Sequence, residues 1–366
     1  MQHTGTALSS EYDAQLKSKI RLTQKEFSVF NPPALEVFES PSSHFRMRGE
    51  FKIWHEKSTG LAHYAMHKPG VPNKPFFVTE FSIGSPTINT LMPVLLAQIN
   101  SDERLKHKLF QAEFLTSKAG EAVVTLIYHR ALDDDWQVKA ESLANDLKCH
   151  IIGRSKKQKR VIGNDYISEQ YTVNGRTYTY QQVETGFTQP NAHVCEKMLN
   201  WATGACTDIG GDLLELYCGN ANFTLPLSTQ FGKVLATEIS KTSVKSALTN
   251  IEKNGCKNIT IARMSSEEFT QALNGERAFR RLKEVDLESY AFSTIFVDPP
   301  RAGLDPDTEA LASKFDNILY ISCNPITLKN NVDAFSKTHD LVKLALFDQF
   351  PYTEHRECGA LLKRRT

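Results

Sequence analysis

The 366-residue chain is 40% hydrophobic and 23% charged, and its mean hydropathy is −0.36. These values are typical of a globular protein with room for two cores, and they exclude collagen-like, low-complexity and disordered classes. Up to Tyr180 the chain carries 23 Lys and Arg against 19 Asp and Glu, and after it 20 against 23, so a net charge of +4 is followed by −3. The asymmetry favours an anionic partner for the N-terminal half.

The sequence also indicates a compartment. No apolar run reaches the roughly 18 residues typical of a membrane span, and the N-terminus lacks the basic and apolar segments of a secretory signal. The seven cysteines are irregularly spaced and include no CxxC pair, which argues against a zinc site and against a disulfide framework. We therefore expect a cytoplasmic protein with no membrane association, and no obligate protein partner is evident.

The N-terminal half predicts helices mixed with antiparallel hairpins. Apolar residues at helical spacing predict an amphipathic helix over residues 12–30, which ends before Asn31-Pro32-Pro33. Further predicted elements are strands at 45–54 and 61–66, a helix at 88–99, a hairpin of 109–116 and 121–129, a helix at 133–148 and a strand at 149–152. This order predicts an α+β domain.

In the strand at 45–54 four apolar residues alternate with four charged residues, so its two faces can be assigned. The predicted core face consists of Phe45, Met47, Phe51 and Ile53. The opposite, basic face carries Arg46, Arg48 and Lys52, with Glu50 among them.

From about residue 191 the pattern changes to short apolar strands that alternate with helical stretches. The strands are predicted at 213–216, 234–237, 259–262, 294–297 and 318–321, followed by 341–348 and 357–363 with no helix between the last two. Such βα repeats predict a parallel, doubly wound α/β sheet. We place one domain at 1–185 and a second at 186–366.

Ligands of such sheets bind beyond the carboxyl ends of the strands. The first strand is followed by ELYCGNANFT, in which Gly219 allows a tight turn, and Glu238 ends the second strand 19 residues later. An acidic residue at this spacing can hold two ribose hydroxyls. A dinucleotide would require more glycines around its pyrophosphate, so S-adenosylmethionine is favoured over NAD, although a structural turn is also compatible with the loop.

Two more side chains follow strands at the same edge. Asp298 ends the fourth strand, before Pro299-Pro300, and is either a substrate contact or part of a structural turn. Cys323 ends the fifth strand, before Asn324-Pro325, and is either a buried filler or a nucleophile. In a seven-stranded methyltransferase sheet the last strand runs antiparallel between strands five and six. Its first residue, Glu357, would therefore start beside Cys323.

At this point a family resemblance becomes clear. The motifs LYCGNANFT, FVDPPRAGL, LYISCNP and FDQFPYTEHRECGALL, with GFTQPN at 186–191, resemble those of the RNA uracil-5-methyltransferase family. The resemblance extends to SSHFRMRGEFKIW and HKLFQAEFLT in the first half. It implies a C-terminal seven-stranded Rossmann-like class I methyltransferase domain and an N-terminal α+β RNA-binding domain.

The resemblance also implies an activity. A methyl group would pass from S-adenosylmethionine to carbon 5 of the T-loop uridine at position 54 of tRNA, with the T-arm as the bound element. Cys323 would add to carbon 6 of the uracil, and Glu357 would be the base that removes the proton from carbon 5. By motif match, the residues that bind or border the cofactor would be Gln189, Tyr217, Gly219, Asn222, Glu238 and Asp298.

Two departures from the family pattern are informative. Relatives often have glycine where this chain has Ala221, and the extra methyl group is tolerable if the backbone φ angle is negative there. Relatives that act on ribosomal RNA usually carry an N-terminal barrel and a four-cysteine iron–sulfur site. Because the first cysteine here is Cys149, no such cluster is expected, and tRNA is favoured as the substrate.

Several alternatives remain open from the sequence. Methylation of another RNA such as rRNA and an inactive RNA-binding protein on this scaffold are the competing functions. An amino-methyltransferase is disfavoured because Arg301 stands where its Asp-Pro-Pro motif would have an aromatic residue, and a cytosine-5 enzyme is disfavoured because its motif context differs. Phe110 and Gln111 are candidate contacts to unstacked RNA bases or core residues, and the basic face of 45–54 is a candidate contact to the RNA backbone. The run RSKKQKR at 154–160 is predicted to be a solvated loop or an RNA contact, and Cys358 is predicted to pack inward.

Overall fold

The computed structural model describes residues 5–68, 71–283 and 285–365. Contacts divide the chain into two compact units. One contains residues up to Ser40, residues Tyr171–Gln181 and residues from His193 onwards, and the other contains Pro41–Gln170 and Gln182–Ala192. We name them the eight-stranded unit and the seven-stranded unit after their main sheets. In the described part of the chain, no helix has both the length and the apolar character needed to cross a membrane.

The chain begins with a long helix that belongs to the eight-stranded unit. Helix α1 (Gly5–Phe27) is followed by the short strand β1 (Glu36–Phe38). Leu16 and Phe27 are buried, and Phe27 is part of the unit's hydrophobic core. A single boundary at residue 185 was expected, but these contacts group the first 40 residues with the C-terminal sheet because the apolar stripe of α1 is covered there.

The seven-stranded unit follows. Its strands are β2 (Arg48–His55), β3 (Ala62–Lys68), β4 (Val71–Phe77), β5 (Leu109–Thr116), β6 (Ala122–Tyr128), β7 (His150–Ser155) and β8 (Gln158–Ile162). Its helices are α2 (Pro86–Ser101), α3 (Glu103–Lys106) and α4 (Asp134–Leu147). The spatial order is β4-β3-β2-β5-β6-β7-β8.

This sheet is built mainly from the predicted antiparallel hairpins. Strands β5 and β6 pair antiparallel as expected, while α4 crosses over so that β7 lies parallel to β6. The predicted core face near β2 is confirmed, since Phe45, Met47, Phe51 and Ile53 are all at most 7% exposed. Strands β9 (Tyr166–Val173) and β10 (Arg176–Val183), which were not predicted, form a separate two-stranded sheet.

The remaining elements complete the eight-stranded unit. Its helices are α5 (Ala192–Ala205), α6 (Thr224–Leu227), α7 (Lys241–Lys253), α8 (Ser266–Leu273), α9 (Pro306–Ala312) and α10 (Pro325–Phe335). Its further strands are β11 (Asp212–Leu216), β12 (Val234–Thr237), β13 (Ile259–Ala262), β14 (Phe292–Val297), β15 (Asn317–Ser322), β16 (His339–Phe347) and β17 (Glu357–Arg364).

The order of this sheet confirms the predicted α/β fold. The strands run β1-β16-β17-β15-β14-β11-β12-β13, and β17 lies antiparallel between β15 and β16. Seven of the described strands give the predicted methyltransferase arrangement. The eighth is β1, which pairs parallel with β16 and was missed because three residues carry too little pattern to predict a strand.

Candidate active site

The residues around Cys323 form a tight strand-to-helix turn. Strand β15 ends at Ser322, and Asn324 caps α10 by accepting a hydrogen bond from the backbone N–H of Ile326 at 3.2 Å. Pro325 occupies the first helical position, where no N–H donor is needed. The Asn-Pro pair therefore stops the strand and starts the helix in one step, which leaves Cys323 half-buried at the rim of the sheet.

The turn after β14 is fastened to this one. The side-chain amide of Asn324 donates to the carbonyl oxygen of Arg301 at 2.9 Å. Gly303 has a φ of +82°, and a Cβ atom there would lie 3.0 Å from Cβ of Thr327. Only glycine fits this conformation and this close approach. The loop that contains Asp298 is therefore fixed against the turn that contains Cys323.

Strand register brings Glu357 beside Cys323. The last residue pair between β15 and β17 is Ser322 with Cys358. One step further come Cys323, in the turn after β15, and Glu357, the first residue of β17. The two residues are close enough for the carboxyl group of Glu357 to raise the pKa of the Cys323 thiol. The predicted position of β17 is thereby confirmed, whereas the catalytic roles of the two residues stay predictions.

The electrostatics of this rim are dominated by burial and by like charges. Burial, together with the carboxyl groups of Glu357 and Asp298, raises the pKa of the Cys323 thiol to about 11. Burial raises the pKa of Asp298 to about 7, and burial with Asp298 raises the pKa of Glu357 well above its usual range. The guanidinium of Arg301 acts on the pKa of the thiol in the opposite direction. Charged forms at this site are therefore disfavoured until something offsets them.

A third carboxyl group was not predicted as a site residue. Glu215 is the next-to-last residue of buried strand β11 and is 1% exposed, and its Oε2 atom has no hydrogen-bond partner among the described residues. Burial, with a further contribution from Asp298, raises the pKa of Glu215 to about 8. The available signal was an acidic residue inside the otherwise apolar strand LLEL, which an amphipathic surface strand would not explain.

The glycine loop after β11 has the predicted link to the end of β12. Gly219 has a φ of +57°, and its N–H donates to one oxygen of Glu238 at 3.0 Å. The other oxygen accepts from the N–H of Ser240 at 2.7 Å. A Cβ atom added to Gly219 would meet no atom within 4 Å, so the loop borders open space. The carboxylate keeps lone pairs that two hydroxyl groups of a ligand could use.

The neighbours of Gly219 are held by their own contacts. Tyr217 has a φ of +64° and donates its hydroxyl hydrogen to Oγ of Ser266 at 2.7 Å. The carbonyl of Asn222 accepts from the hydroxyl of Tyr180 at 2.9 Å, and its side-chain amide donates to Sγ of Cys195 at 3.4 Å. The structure thus ties both predicted cofactor residues to the loop framework.

The expectation for Ala221 needs a correction. A negative φ was the condition for tolerating alanine at this position, but its φ is +66° and the residue is fully buried. A non-glycine residue in the left-handed region costs about 1–2 kcal/mol. The loop nevertheless closes, because the N–H of Ala221 donates to the carbonyl of Cys218 at 2.9 Å.

The structure confirms the prediction for Cys358 but does not test the one for Gln189. Gln189 lies in the seven-stranded unit and is 9% exposed, so its assignment to the cofactor stays a prediction from family resemblance. Cys358 is fully buried in the core of the eight-stranded unit, as predicted. In the described residues no cluster of three His, Cys, Asp or Glu side chains could hold a metal ion.

The basic face of the N-terminal strand is less open than expected. Arg46 and Arg48 are half-buried, and burial is the main reason that their pKa values are lowered. Arg48 donates to the carbonyls of Glu184 and Gly186 at 3.0 and 3.1 Å, while Arg46 donates to the carbonyl of Arg48. Lys52 is the exposed member of the predicted trio.

The candidate base-contact residues lie next to Lys52. Gln111 pairs with Lys52 in the β2–β5 register, and its amide donates to Glu113 at 2.7 Å. The half-buried ring of Phe110 stacks on the exposed imidazole of His129, with centroids 4.4 Å apart and an interplanar angle of 21°. The ammonium of Lys52 is 5.9 Å from the Phe110 ring centroid. We call Lys52, Phe110 and His129 the aromatic platform; sequence reasoning missed His129, because only the sheet pairing brings it to Phe110.

The basic run at 154–160 is a hairpin and not the predicted loop. It comprises the end of β7, a two-residue turn and the start of β8. Arg154 and Lys159 pair with Glu184, and Arg160 pairs with Asp134 at 3.0 Å. Three of its cations are therefore engaged within the unit, because strand pairing directs them towards acidic neighbours.

Comparison with known proteins is consistent with this geometry. A family model described as tRNA (uracil-5-)-methyltransferase matches residues 11–365. Proteins named tRNA/tmRNA (uracil-C(5))-methyltransferase from Teredinibacter turnerae and Saccharophagus degradans are 61% and 60% identical, over 361 and 362 residues, and the match covers 99% of each chain. A solved structure, the Pyrococcus abyssi tRNA (uracil-54, C5)-methyltransferase in complex with S-adenosyl-L-homocysteine, is similar with a TM-score of 0.71 and 19% identity. That match covers 96% of this chain and 83% of the other, and it shows a shared fold.

Proposed function

The chain belongs to the tRNA (uracil-5-)-methyltransferase family, and we propose that its target is the T-loop uridine at position 54, modified through a covalent adduct with Cys323. Its activity is the S-adenosylmethionine-dependent methylation of carbon 5 of uracil in tRNA. The observation that carries the proposal is the juxtaposition of Cys323, in the turn that directly follows β15, and Glu357, which begins the neighbouring antiparallel strand β17. The names of the similar proteins also include tmRNA, and the proposal extends to that RNA.

The chemistry explains why a thiol is needed. Carbon 5 of uracil is a weak nucleophile. When the thiolate of Cys323 adds to carbon 6, the electron pair of the 5,6 double bond becomes an enolate, which makes carbon 5 reactive. S-adenosylmethionine, when bound, supplies an electrophilic methyl group. Because the thiol pKa of about 11 leaves Cys323 protonated at neutral pH, its proton must first leave, and Asp298, with a pKa of about 7, is a nearby group that can receive it.

Completion of the reaction requires a base. After methylation, carbon 5 still carries its hydrogen, and Glu357 would remove it as a proton. The released electron pair restores the 5,6 double bond and expels the sulfur of Cys323, so the free enzyme returns. Glu357 suits this role because burial raises its pKa, and a carboxylate with a raised pKa is a stronger base.

The residues at the glycine loop fit the methyl donor. Open space above Gly219 would take the ligand, and Glu238 has carboxylate lone pairs for two ribose hydroxyls. Tyr217 and Asn222 border the same loop. Gln189 would complete the cofactor contacts on the strength of the family motif. A donor without phosphates fits a loop with one glycine better than a dinucleotide does.

Recognition of the T-arm is proposed for the aromatic platform. A stacked Phe110–His129 pair beside an ammonium group offers an unstacked base a π surface and offers the RNA backbone a positive charge. Gln111 would add a hydrogen-bonding amide. Of the basic trio, we assign phosphate contact to Lys52, because Arg46 and Arg48 are half-buried and donate to backbone carbonyls of their own unit.

A single trapping experiment tests the proposal. The protein is incubated with tRNA that contains 5-fluorouridine, with and without S-adenosylmethionine, and run on a denaturing gel. A protein–RNA band that requires the methyl donor is expected, since fluorine on carbon 5 cannot leave as a proton does. The Cys323→Ala variant should give no band, while Cys256→Ala, which removes another half-buried thiol, should match the unmodified protein.

The methylated position and the range of RNA substrates can be measured with the same protein preparation. Mapping of the methylated nucleotide in bulk tRNA should place it in the T-loop, and ribosomal RNA should not be methylated. Methylation at another nucleotide would contradict the T-loop assignment. A methylating protein that never forms the trapped band would contradict the covalent route.

A further inference from the structure

The chain that leads into Glu357 is held at both ends by the N-terminal helix. Strand β16 ends at Phe347 and β17 begins at Glu357, and these two residues pair with each other. The intervening residues 348–356, which we call the pre-base segment, leave the sheet and return to it. All of these residues and helix α1 belong to the eight-stranded unit.

The first end of the pre-base segment is anchored by a buried ion pair. Nζ of Lys19 lies 2.7 Å from Oδ1 of Asp348, and the two side chains are 4% and 0% exposed. The same ammonium donates to the carbonyl of Phe350 at 2.8 Å, and the amide of Gln15 donates to Oδ2 of Asp348 at 2.8 Å. Lys19 therefore fixes two positions of the segment at once.

The second end is anchored by a bidentate pair. Arg356, which directly precedes Glu357, donates from Nη1 to one oxygen of Glu26 at 2.7 Å and from Nη2 to the other at 2.9 Å. Its Nη1 also donates to Oγ1 of Thr23 at 3.2 Å. The arginine side chain is 9% exposed. A two-point contact of this kind fixes orientation as well as distance.

The helix supplies these anchors from one face. The contacting residues of α1 are Tyr12, Gln15, Lys19, Thr23 and Glu26. Their spacings of three, four, four and three place them in one row along the helix. At the start of the row, the ring of Tyr12 packs edge-on against Tyr352 in the pre-base segment, with centroids 6.1 Å apart. The helix thus contacts the segment at its beginning, middle and end.

Strand alternation connects the anchor to the predicted base. Arg356 lies directly before β17 and contacts α1 through Thr23 and Glu26. Successive side chains of a strand point to opposite faces, so Glu357 points to the face opposite that of Cys358. Cys358 lies in the same core cluster as Phe27 of α1. A displacement of Arg356 would therefore be passed directly to Glu357, its neighbour in the chain.

We infer that helix α1 is a brace for the general base, and that Glu26 and Arg356 are positioning residues for Glu357. The inference rests on the proposed function of Glu357. It follows from the geometry because a base must be held within about 0.5 Å of its productive position, and a misplacement of about 1 Å can lower the rate roughly 10²-fold. Asp348 still donates its N–H to the carbonyl oxygen of Phe38 in β1 at 3.0 Å, but the described strands β16 and β17 end and begin on either side of the segment, so the contacts of α1 contribute to that precision.

The test compares Glu26→Gln with a matched control. Glu26→Gln keeps the side-chain size and one hydrogen-bond acceptor but removes the bidentate charge pair. Arg365→Gln breaks the 2.7 Å pair of Arg365 with Asp340 just beyond the other end of β17, where both side chains are at least half exposed. Steady-state kcat and KM for tRNA and for S-adenosylmethionine, the amount of covalent adduct on normal tRNA, and the melting temperature are measured for each.

For Glu26→Gln we expect kcat to fall about 10–100-fold with both KM values within about twofold of the unmodified protein. The methylated adduct should accumulate, because proton removal is the step that depends on Glu357. Arg365→Gln should leave all of these values unchanged. Arg356→Lys, which keeps the charge but loses the second hydrogen bond, should lie between Glu26→Gln and the unmodified protein.

The inference would be overturned by a folded Glu26→Gln protein with unchanged kcat, or by one in which kcat falls together with a large rise in both KM values. If Glu26→Gln does not fold, Arg356→Lys is judged by the same two criteria. Failure of the unmodified protein to form any adduct would refute the covalent route of the proposed function, and the split between kcat and KM would still decide whether the brace exists.

Discussion

The buried charged side chains of the two units differ in their surroundings. In the eight-stranded unit, Glu215, Asp298 and Glu357 converge on one rim, where burial raises their pKa values. In the seven-stranded unit, the cations Arg46 and Arg48 are half-buried but donate to backbone carbonyls of their own unit. The comparison teaches that buried carboxyl groups with raised pKa values mark the candidate chemistry, whereas half-buried cations that donate to backbone carbonyls mark architecture.

The units also differ in how residues meet. On the eight-stranded rim, the ends of the parallel strands β11, β14 and β15 meet the beginning of β17, because parallel strands end at one edge and an antiparallel neighbour begins there. On the seven-stranded face, Lys52 and Phe110 lie on an open sheet. We therefore expect substitutions on the rim to change the chemistry and substitutions on the face to change RNA affinity.

The largest expected effect on activity, with little effect on tRNA binding, is that of substituting Cys323 in the eight-stranded unit. Cys323→Ala removes the nucleophile, so methylation of tRNA should fall below detection while the dissociation constant for tRNA stays within about threefold. Methyl transfer from radiolabelled S-adenosylmethionine and filter binding measure the two quantities. Near-normal turnover by the purified variant would break the assignment of chemistry to this rim.

Glu357→Gln should fail at a later step. The amide cannot accept the proton from carbon 5, and loss of a general base costs roughly 10²–10⁴-fold in rate. Addition and methyl transfer can still occur, so the methylated protein–RNA adduct should build up as a slowly migrating band in a denaturing gel. A fully active variant, or an inactive one that never forms the adduct, would contradict the assigned role.

The buried charge of Glu215 should be visible as a pH dependence of stability. Its pKa is raised from 4.5 to about 8, so the folded state binds more protons than the unfolded state across this window. Its contribution to stability is therefore present below pH 4.5 and is lost as the pH rises towards about 8. Glu215→Gln should raise the free energy of unfolding at pH 8 by a few kcal/mol, on the order of 1.4 kcal/mol per pKa unit at most, and have little effect near pH 4.

Urea unfolding without the methyl donor, at pH 5 and at pH 8, measures this difference. Glu238→Gln is the matched control, because Glu238 is an acidic residue of the same unit whose two oxygens accept backbone N–H groups. A Glu215→Gln protein that is destabilised equally at both pH values would show that the carboxyl group acts through its shape and not through its charge.

Substitutions on the aromatic platform should weaken RNA binding moderately. Phe110→Ala removes a stacking surface worth about 1–3 kcal/mol per base. Lys52→Ala removes one phosphate contact, which should lower the log–log salt slope of tRNA binding by about 0.9 if duplex behaviour applies. Both should leave S-adenosylmethionine affinity unchanged, as calorimetry can establish.

Arg48→Ala provides a comparison with Lys52→Ala within the same strand, β2. Because Arg48 donates to carbonyls at residues 184 and 186, its loss should lower the melting temperature more than it changes the salt slope. Unaltered tRNA affinity in both Lys52→Ala and Phe110→Ala would contradict the proposed role of the aromatic platform in RNA binding. Lys156 and Lys157, at the exposed turn of the basic hairpin, would then be the next residues to substitute.

The smallest expected effect concerns the cofactor loop. Ala221→Gly relieves a φ of +66° and should raise the free energy of unfolding by about 1 kcal/mol, less the extra entropy that glycine gives the unfolded chain. A thermal melt compares it with Ala202→Gly, which lies inside helix α5 and should be destabilising by a similar amount. Equal destabilisation by both variants would show that the loop is not strained at Ala221.

The sequence alone determined the strands of the eight-stranded sheet other than β1, much of the seven-stranded sheet, and the candidates at the rim. Alternation and helix spacing are local properties, so β12, β13 and the β5–β6 hairpin could be read directly. The side chains that follow strands, such as Asp298 and Cys323, could be placed at one edge because parallel strands end together. The antiparallel position of the last strand placed Glu357 beside Cys323, and the family motifs added the catalytic roles of the two residues.

Tertiary structure decided what depends on partners distant in sequence. Helix α1 was predicted, but the burial of Phe27 in the eight-stranded core and the contacts of Glu26 with Arg356 could not be read from a local pattern. The same is true of His129 stacking on Phe110 and of Arg48 turning to carbonyls near residue 184. The physical reason is that residue type and spacing fix which side chains share a face of a helix or strand. The partner of a buried charged side chain depends instead on which distant segment the fold brings against it.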